Sequence, residues 1–279
     1  MKQGVNSKLF MGAANARSQK TAWNWNMSPG LHRRVRYLAI HALLLVFFSV
    51  LQVSLSASAD TGRGYLDLGG GYKTGDFGTP TKANLYYLSS TIGYVAPRYD
   101  FSVTVPYLSL TNKTGSQSET EKGVGDMILR VGRILVSEGT GGLSLDGALA
   151  AKLPTADEMK GLGTGETDYG AFLSLHQRLG GFKVSLHGGY IKVGDPPLVN
   201  YNDIYLYGVG ISRIFGFTEL FTFFEGRRAS VPGAKDPQEI AIGFFHVLNT
   251  DFAIKGSAFA GLNDGGPDFG FNAGIVRWF

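Results

Sequence analysis

From Gly64 to its last residue the chain repeats one theme. Segments of about ten residues alternate between apolar and polar side chains, and turn residues separate them. Twelve such segments can be read: GYLDLGGGYK (64–73), NLYYLSSTIGYV (84–95), DFSVTVPYLSLT (100–111), VGDMILRVGRILV (124–136), GLSLDGALAAKLP (142–154), TDYGAFLSLHQRL (167–179), FKVSLHGGYIKV (182–193), DIYLYGVGISRIF (203–215), TELFTFFEGRRA (218–229), EIAIGFFHVL (239–248), DFAIKGSAFAGL (251–262) and DFGFNAGIVRWF (268–279). Each has about the length that carries a tilted strand across a bilayer, roughly 9–11 residues. Glycine, 40 residues in all, recurs in nearly every segment. It is costly inside helices but tolerated where a closed sheet bends. No stretch after the leader approaches the roughly 20 apolar residues of a membrane helix, so a membrane form of this chain has to cross as strands.

The connections add a second constraint, because they alternate in length. APRY, SEGTG, GG, GF and NT are short. TGDFGTPTKA, NKTGSQSETEKG, TADEMKGLGTGE, GDPPLVNYN and SVPGAKDPQ are longer and polar, and NDGGP is the shortest of that set. Short turns on one side and long loops on the other is the asymmetry of outer-membrane barrels. The faces agree. In 182–193, Phe182, Val184, Leu186 and Tyr190 oppose Lys183, Ser185 and His187. In a two-sheet sandwich the apolar face would point inward, and in a barrel it meets lipid while the polar face lines the lumen. Periodicity alone does not separate the two; the loop asymmetry and the leader favour the barrel. Segments 218–229 and 239–248 carry apolar residues on both faces and are left unoriented. Tyr65, Tyr72, Tyr94, Phe101, Tyr107, Phe215 and Phe279 stand near segment ends, where membrane-interface girdles are built.

Residues 1–59 hold seven Lys or Arg and no Asp or Glu, which leaves 19 basic against 22 acidic residues for 60–279. The net charge of +4 therefore belongs to the leader and gives no reason to expect nucleic-acid binding. LHRRVRY followed by LAIHALLLVFFSVLQV and SLSASAD has the basic, apolar and small-x-small parts of a secretory signal. Cleavage is expected after Ala57-Ser58-Ala59, before Asp60; an uncleaved anchor is the competing reading. Met27 would supply an ordinary n-region as an alternative start. The expected division is a leader and signal peptide, 1–59, and a barrel, 60–279. With no cysteine there is no disulfide framework and no thiolate chemistry.

Three motifs occur in order: Gly-x-Gly-Asp in KGVGDMILRVGRIL (122–135), Lys-Leu-Pro-Thr in LSLDGALAAKLPT (143–155) and Gly-Thr-Gly-x-Thr-Asp in GLGTGETDYGAFLSLHQRLGGFKVSLHGGY (161–190). With them the chain resembles the outer-membrane family described as "putative MetA-pathway of phenol degradation", over most of 64–279. Ala156 stands where many members have Gly. The resemblance implies an all-β fold, a transmembrane antiparallel barrel of about 12 strands. It also implies a role as channel or transporter for small solutes, aromatic or hydrophobic compounds among them. It carries no catalytic, cofactor or metal residues.

The remaining residues set the expectations for a site. Asp67, Asp126, Arg130, Asp146, Lys152, Asp168, Arg178, Lys183, His187 and Lys255 fall on polar faces and are the lumen-lining candidates. Opposite charges on neighbouring strands are expected to pair across a narrow barrel, leaving a thin channel or none. Arg133, Arg213 and Arg277 fall on apolar faces close to strand ends, where long side chains reach the interface. GGGYKTG and GLGTGE lack the spacing and the following helix of a phosphate loop. His176 and His187 share a hairpin but no metal-ligand spacing. Ser174, His176 and Asp168 supply the residue types of a hydrolase without its geometry. The other functional readings are a non-transporting surface-interaction barrel acting through loops 112–123 and 155–166, and an outer-membrane lipid hydrolase. The expected partners are the outer-membrane bilayer, a small solute and the assembly machinery, for a monomer with both termini periplasmic. The last segment reads as the closing strand, and Phe279 as part of a C-terminal assembly signal.

Overall fold

The computed structural model describes residues 62–77, 81–114, 117–197 and 199–279. The leader, the expected cleavage point at Ala57, Ala59 and Asp60, and Met27 lie outside them. The described chain forms β1 (Arg63–Gly75), β2 (Lys82–Val95), β3 (Tyr99–Thr114), β4 (Gln117–Val124), β5 (Met127–Val136), β6 (Leu143–Leu153), β7 (Asp168–Leu179), β8 (Phe182–Lys192), β9 (Ile204–Phe215), β10 (Thr218–Arg227), β11 (Gln238–Val247), β12 (Phe252–Gly261) and β13 (Phe269–Trp278). Successive strands pair antiparallel, and β13 returns to β1, with Tyr65 opposite Trp278 and Thr74 opposite Phe269. The seam continues past the strand ends. The Gly64 N–H donates to the Phe279 carbonyl at 3.1 Å, and the Phe279 N–H to the Gly64 carbonyl at 3.0 Å. The sheet thus closes on itself and satisfies its own backbone, as a spanning structure in hydrocarbon must.

β4 and β5 are two parts of one strand, so the barrel crosses with twelve. β3 pairs with both, through Tyr107↔Val124 on one side and Thr104↔Ile128 on the other. Between these pairs the register slips by one residue, as in a β-bulge. Pro106 supplies the physical reason. Its carbonyl accepts from the Gly125 N–H at 2.8 Å, but it has no N–H to return. Thr155 covers the gap, accepting from the Met127 N–H at 2.8 Å and donating to the Gly125 carbonyl at 3.0 Å. Asp126, at the slip, is left free of the ladder and points its carboxylate elsewhere.

Exposure separates the two faces. Leu88, Ile92 and Ile242 are 64–67 % exposed, and Leu68, Leu149, Leu173, Leu186, Val209 and Phe271 share their outward face. An apolar belt of this kind needs lipid outside it. Among the described residues no helix is long and apolar enough to cross a membrane. The connections at the end carrying both termini are short, and at the opposite end, the loop end, 154–167, 193–203 and 228–237 are long. The expected loop 112–123 is instead mostly paired strand, β3 and β4 pairing on as far as Thr114 and Gln117.

The two unoriented segments are now placed. In β10, Leu220 and Phe224 face outward while Glu219, Phe221, Phe223, Glu225 and Arg227 face the lumen. In β11, Ile240, Ile242 and Phe244 face outward, and Glu239, Ala241 and Phe245 inward. Two girdle expectations fail: Tyr65 is 5 % exposed and turned into the barrel, where it packs with Phe245, Ala253 and Val276, and Phe101 is buried too.

Candidate functional site: the barrel lumen

Alternation along each strand sends every second side chain into the barrel, and the charged ones meet there across neighbouring strands or across one strand between. Asp67 on β1 pairs with Lys255 on β12, and Asp100 on β3 with Arg130 on β5. Lys183 on β8 reaches Glu219 on β10 at 2.8 Å, and the Ser212 hydroxyl donates to the same carboxylate at 2.7 Å. The His176 ring touches the Asp146 carboxylate at 3.1 Å and the Ser185 hydroxyl at 2.8 Å. His187 lies 3.8 Å from Glu225 and stacks on Phe223, with ring centroids 4.5 Å apart. Arg227 and Glu239 are 3.7 Å apart. Most charges on this wall therefore face an opposite charge on another strand and run around the wall rather than across it.

The strongest cluster sits where β4 breaks. Lys152, 2 % exposed, lies 2.9 Å from Asp168 and 3.4 Å from Asp126, both nearly as buried, and donates to the Thr164 hydroxyl at 3.0 Å. Asp126 also accepts from the Ala156 N–H at 3.1 Å, and Asp168 from the Gly194 N–H at 3.0 Å. All three sequence motifs end here. Gly-x-Gly-Asp supplies Asp126, Lys-Leu-Pro-Thr supplies Lys152 and Thr155, and Gly-Thr-Gly-x-Thr-Asp supplies Gly163, Thr164 and Asp168. Gly163 has to be glycine, because a Cβ there would stand 2.7 Å from the Asp126 carboxylate. The cluster pins the loop 154–167 at both ends and in its middle. That loop carries a short 3-10 turn, Glu158–Lys160, and turns Leu162 inward. Leu162 is 6 % exposed and packs with Ala83, Leu85, Tyr87, Leu108 and Leu110 at the loop end of the lumen.

Aromatic rings on the inner wall lie against glycines of the next strand. Tyr87 covers Gly71, where a Cβ would come within 2.6 Å of its hydroxyl, and Phe223 lies beside Gly210. Rings held flat in this way keep their bulk at the wall. Lys73 is buried with its ammonium 5.3 Å from the centre of the Phe259 ring. A second apolar cluster, Tyr65, Phe245, Ala253 and Val276, lines the terminal end. Apolar patches thus stand at both ends of the lumen, beside the ion pairs of the wall.

Nine of the ten candidates from sequence face this interior; Arg178 does not. It follows the inward alternation of β7 but reaches the terminal rim, where it is half exposed and forks onto Glu138 of the short turn at 2.6 and 3.1 Å. That contact holds the Glu138 carboxyl below its usual range. At the loop rim the Tyr190 hydroxyl, donating at 2.6 Å, does the same for Asp203. Glu219, Glu225, Arg227 and Glu239 were missed, although Glu219, Glu225 and Arg227 share one parity in a Phe-rich strand and so mark the face that cannot meet lipid. The hydrolase types part company: Asp168 belongs to Lys152, and His176 turns to Asp146 and Ser185 rather than Ser174. Among the described residues no group of three or more His, Cys, Asp or Glu is arranged to hold a metal ion.

The barrel has solved counterparts. An outer membrane channel from Pseudomonas putida F1 superposes with a TM-score of 0.64 at 15% identity, over 80% of this chain and 97% of that one. The NanC porin superposes with a TM-score of 0.50 at 11% identity, over 76% of this chain and 98% of that one. At these identities the likeness establishes the fold. No curated protein matches in sequence. Residues 64–278 match the model of the family described as "Putative MetA-pathway of phenol degradation", and the chain belongs to that family.

Proposed function

We propose that this barrel is an outer-membrane channel for small solutes, aromatic or hydrophobic compounds among them. The observation that carries the reading is the construction of the inner wall. Its charges are paired around the circumference and its rings lie flat on glycines, so the wall presents mixed polar and aromatic surface with little net field. Such a wall suits neutral or weakly polar solutes better than ions of one sign. Membership of the family and the likeness to outer membrane channels support the same reading. The leader serves as a signal peptide cleaved before Asp60, the barrel is a monomer, and both termini lie in the periplasm. Refolded into a planar bilayer, the mature chain is expected to show small, weakly selective conductance steps, and its vesicles to admit small aromatic solutes. A barrel giving neither would end the proposal.

The inward packing of Leu162 favours a second reading, in which the lumen is sealed and the loops serve as a binding surface. Flux separates the two. Lipid hydrolysis is less favoured. Ser185, His176 and Asp146 lie within hydrogen-bond reach, but the backbone around Ser185 is paired on both sides in the ladder, leaving no donors for an oxyanion.

Assembly is the remaining part of the reading. Phe279 is 68 % exposed on the outward face, and its backbone closes the seam with Gly64. We propose that it is the terminal aromatic the assembly machinery recognises. Deleting it is expected to lower the amount of heat-modifiable barrel in outer-membrane fractions several-fold. Unchanged yield would show that assembly does not read it.

A further inference from the structure

The described residues include nine arginines, and five have partners: Arg63 with Asp251, Arg130 with Asp100, Arg178 with Glu138, Arg227 with Glu239 and Arg228 with Asn202. Arg98 lies in a short turn at the terminal end. The other three, Arg133, Arg213 and Arg277, are exposed on the outward face and have no carboxylate or carbonyl acceptor among the described residues. All three stand near the terminal end of their strands, β5, β9 and β13, which are the fourth, eighth and twelfth crossings of the closed sheet. They are therefore spaced evenly around the barrel.

Each is built the same way. Arg133 sits opposite Tyr99, Arg213 opposite Phe182 and Arg277 opposite Phe252 in the strand register. Each guanidinium lies over the ring it faces, at 5.3, 5.0 and 5.6 Å from the centroid, and Arg213 also lies 4.9 Å from Phe215. A cation–π contact uses none of the guanidinium's N–H donors in a hydrogen bond, so they remain for a phosphate, which an arginine takes in a fork. Snorkelling alone would leave these side chains mobile and hydrated; here the rings fix their height at the rim of the apolar belt.

We infer that Arg133, Arg213 and Arg277 form three phospholipid sites around the terminal end, each taking the phosphate of one lipid while its acyl chains lie on the adjoining apolar belt. The occupant is a phosphate-bearing glycerolipid, since a belt of exposed Leu, Ile and Phe directly above a guanidinium edge is complementary to that amphiphile in both charge and polarity. The sites rest on the barrel lying in a bilayer and not on transport, so a barrel that conducts nothing would leave them standing.

The test is native mass spectrometry of the folded, full-length barrel, released from nanodiscs holding equal amounts of phosphatidylglycerol and a phosphate-free betaine glycerolipid of the same chain length. The wild type is expected to retain phosphatidylglycerol in preference to the betaine lipid. R133Q/R213Q/R277Q is expected to lose that preference, with each site weakened roughly tenfold, the factor for one charge-assisted hydrogen bond of moderate strength. R178Q, at the same end but ion-paired to Glu138, is expected to retain lipid as the wild type does. Equal retention of both lipids by the wild type, or undiminished preference in the triple variant, would overturn the inference. Heat-modifiable gel mobility reports folding, and should the triple variant fail to fold, the wild-type preference and the three single variants decide.

Discussion

Lys152→Met is expected to be the most destabilising single substitution in the wall, lowering stability by about 3–5 kcal/mol, the range for removing one partner from a buried ion pair. Methionine matches the lysine stem in length, so packing is nearly kept and charge is what changes. Lys152 is the only cation within ion-pair distance of Asp126 and Asp168 among the described residues, and both carboxylates are almost fully enclosed. Without it, two like charges share a site shielded from bulk water. The backbone donors of Ala156 and Gly194 satisfy one oxygen on each carboxylate but do not neutralise either. The measurement is the urea midpoint of heat-modifiable mobility in vesicles. Combining Lys152→Met with Asp126→Asn and Asp168→Asn removes all three charges and is expected to recover most of the loss. A Lys152→Met barrel with the wild-type midpoint would mean that water or ions already screen the cluster.

The cluster also shows what the sequence could and could not convey. Strand number, loop asymmetry and most inward charges were legible, because a wall one residue thick with lipid outside leaves polar residues one place to go. Asp67, Lys183 and Lys255 are of that kind. The break in the fourth strand was not legible as a break: VGDMILRVGRILV reads as one alternating run, and the cause lies on another strand, at Pro106. The meeting of the three motifs was hidden for the same reason, since Asp126, Lys152 and Asp168 come from three separate strand ends. Segments 218–229 and 239–248 misled in a different way. Phe221, Phe223 and Phe245 are apolar residues turned inward, and hydropathy alone sends such residues to lipid. Charge should have outranked it: Glu219, Glu225 and Glu239 cannot face hydrocarbon cheaply, and each fixes the parity of its strand. Arg178 failed because alternation predicts direction and not height, and a long side chain at the rim leaves the lumen for a turn.

Replacing residues 157–163 by a short Gly-Ser link is expected to raise single-channel conductance several-fold. Those residues carry the 3-10 turn and Leu162, whose side chain fills the loop end of the lumen against Leu85, Tyr87, Leu108 and Leu110. Thr155, Ala156 and Thr164 stay in place, so the strand break keeps its cover and Lys152 keeps its hydroxyl partner. The structural cost is mainly the lost burial of one leucine, about 1.5–3 kcal/mol, which a barrel of twelve paired crossings should tolerate. Leu162→Ala is the milder form and should raise conductance in the same direction by less. The outcome bears on which reading of the barrel stands. If conductance rises, the inward loop is the narrowest point of a working channel. If it stays at the wild-type level, the restriction lies at the other end, in the cluster of Tyr65, Phe245, Ala253 and Val276. If neither form conducts, the lumen is sealed by more than the loop, and the long loops become the functional surface. Lys152→Met bears on the same question from the opposite side. It loosens the attachment of this loop without shortening it, so a gated channel should then open intermittently where the excised form stays open.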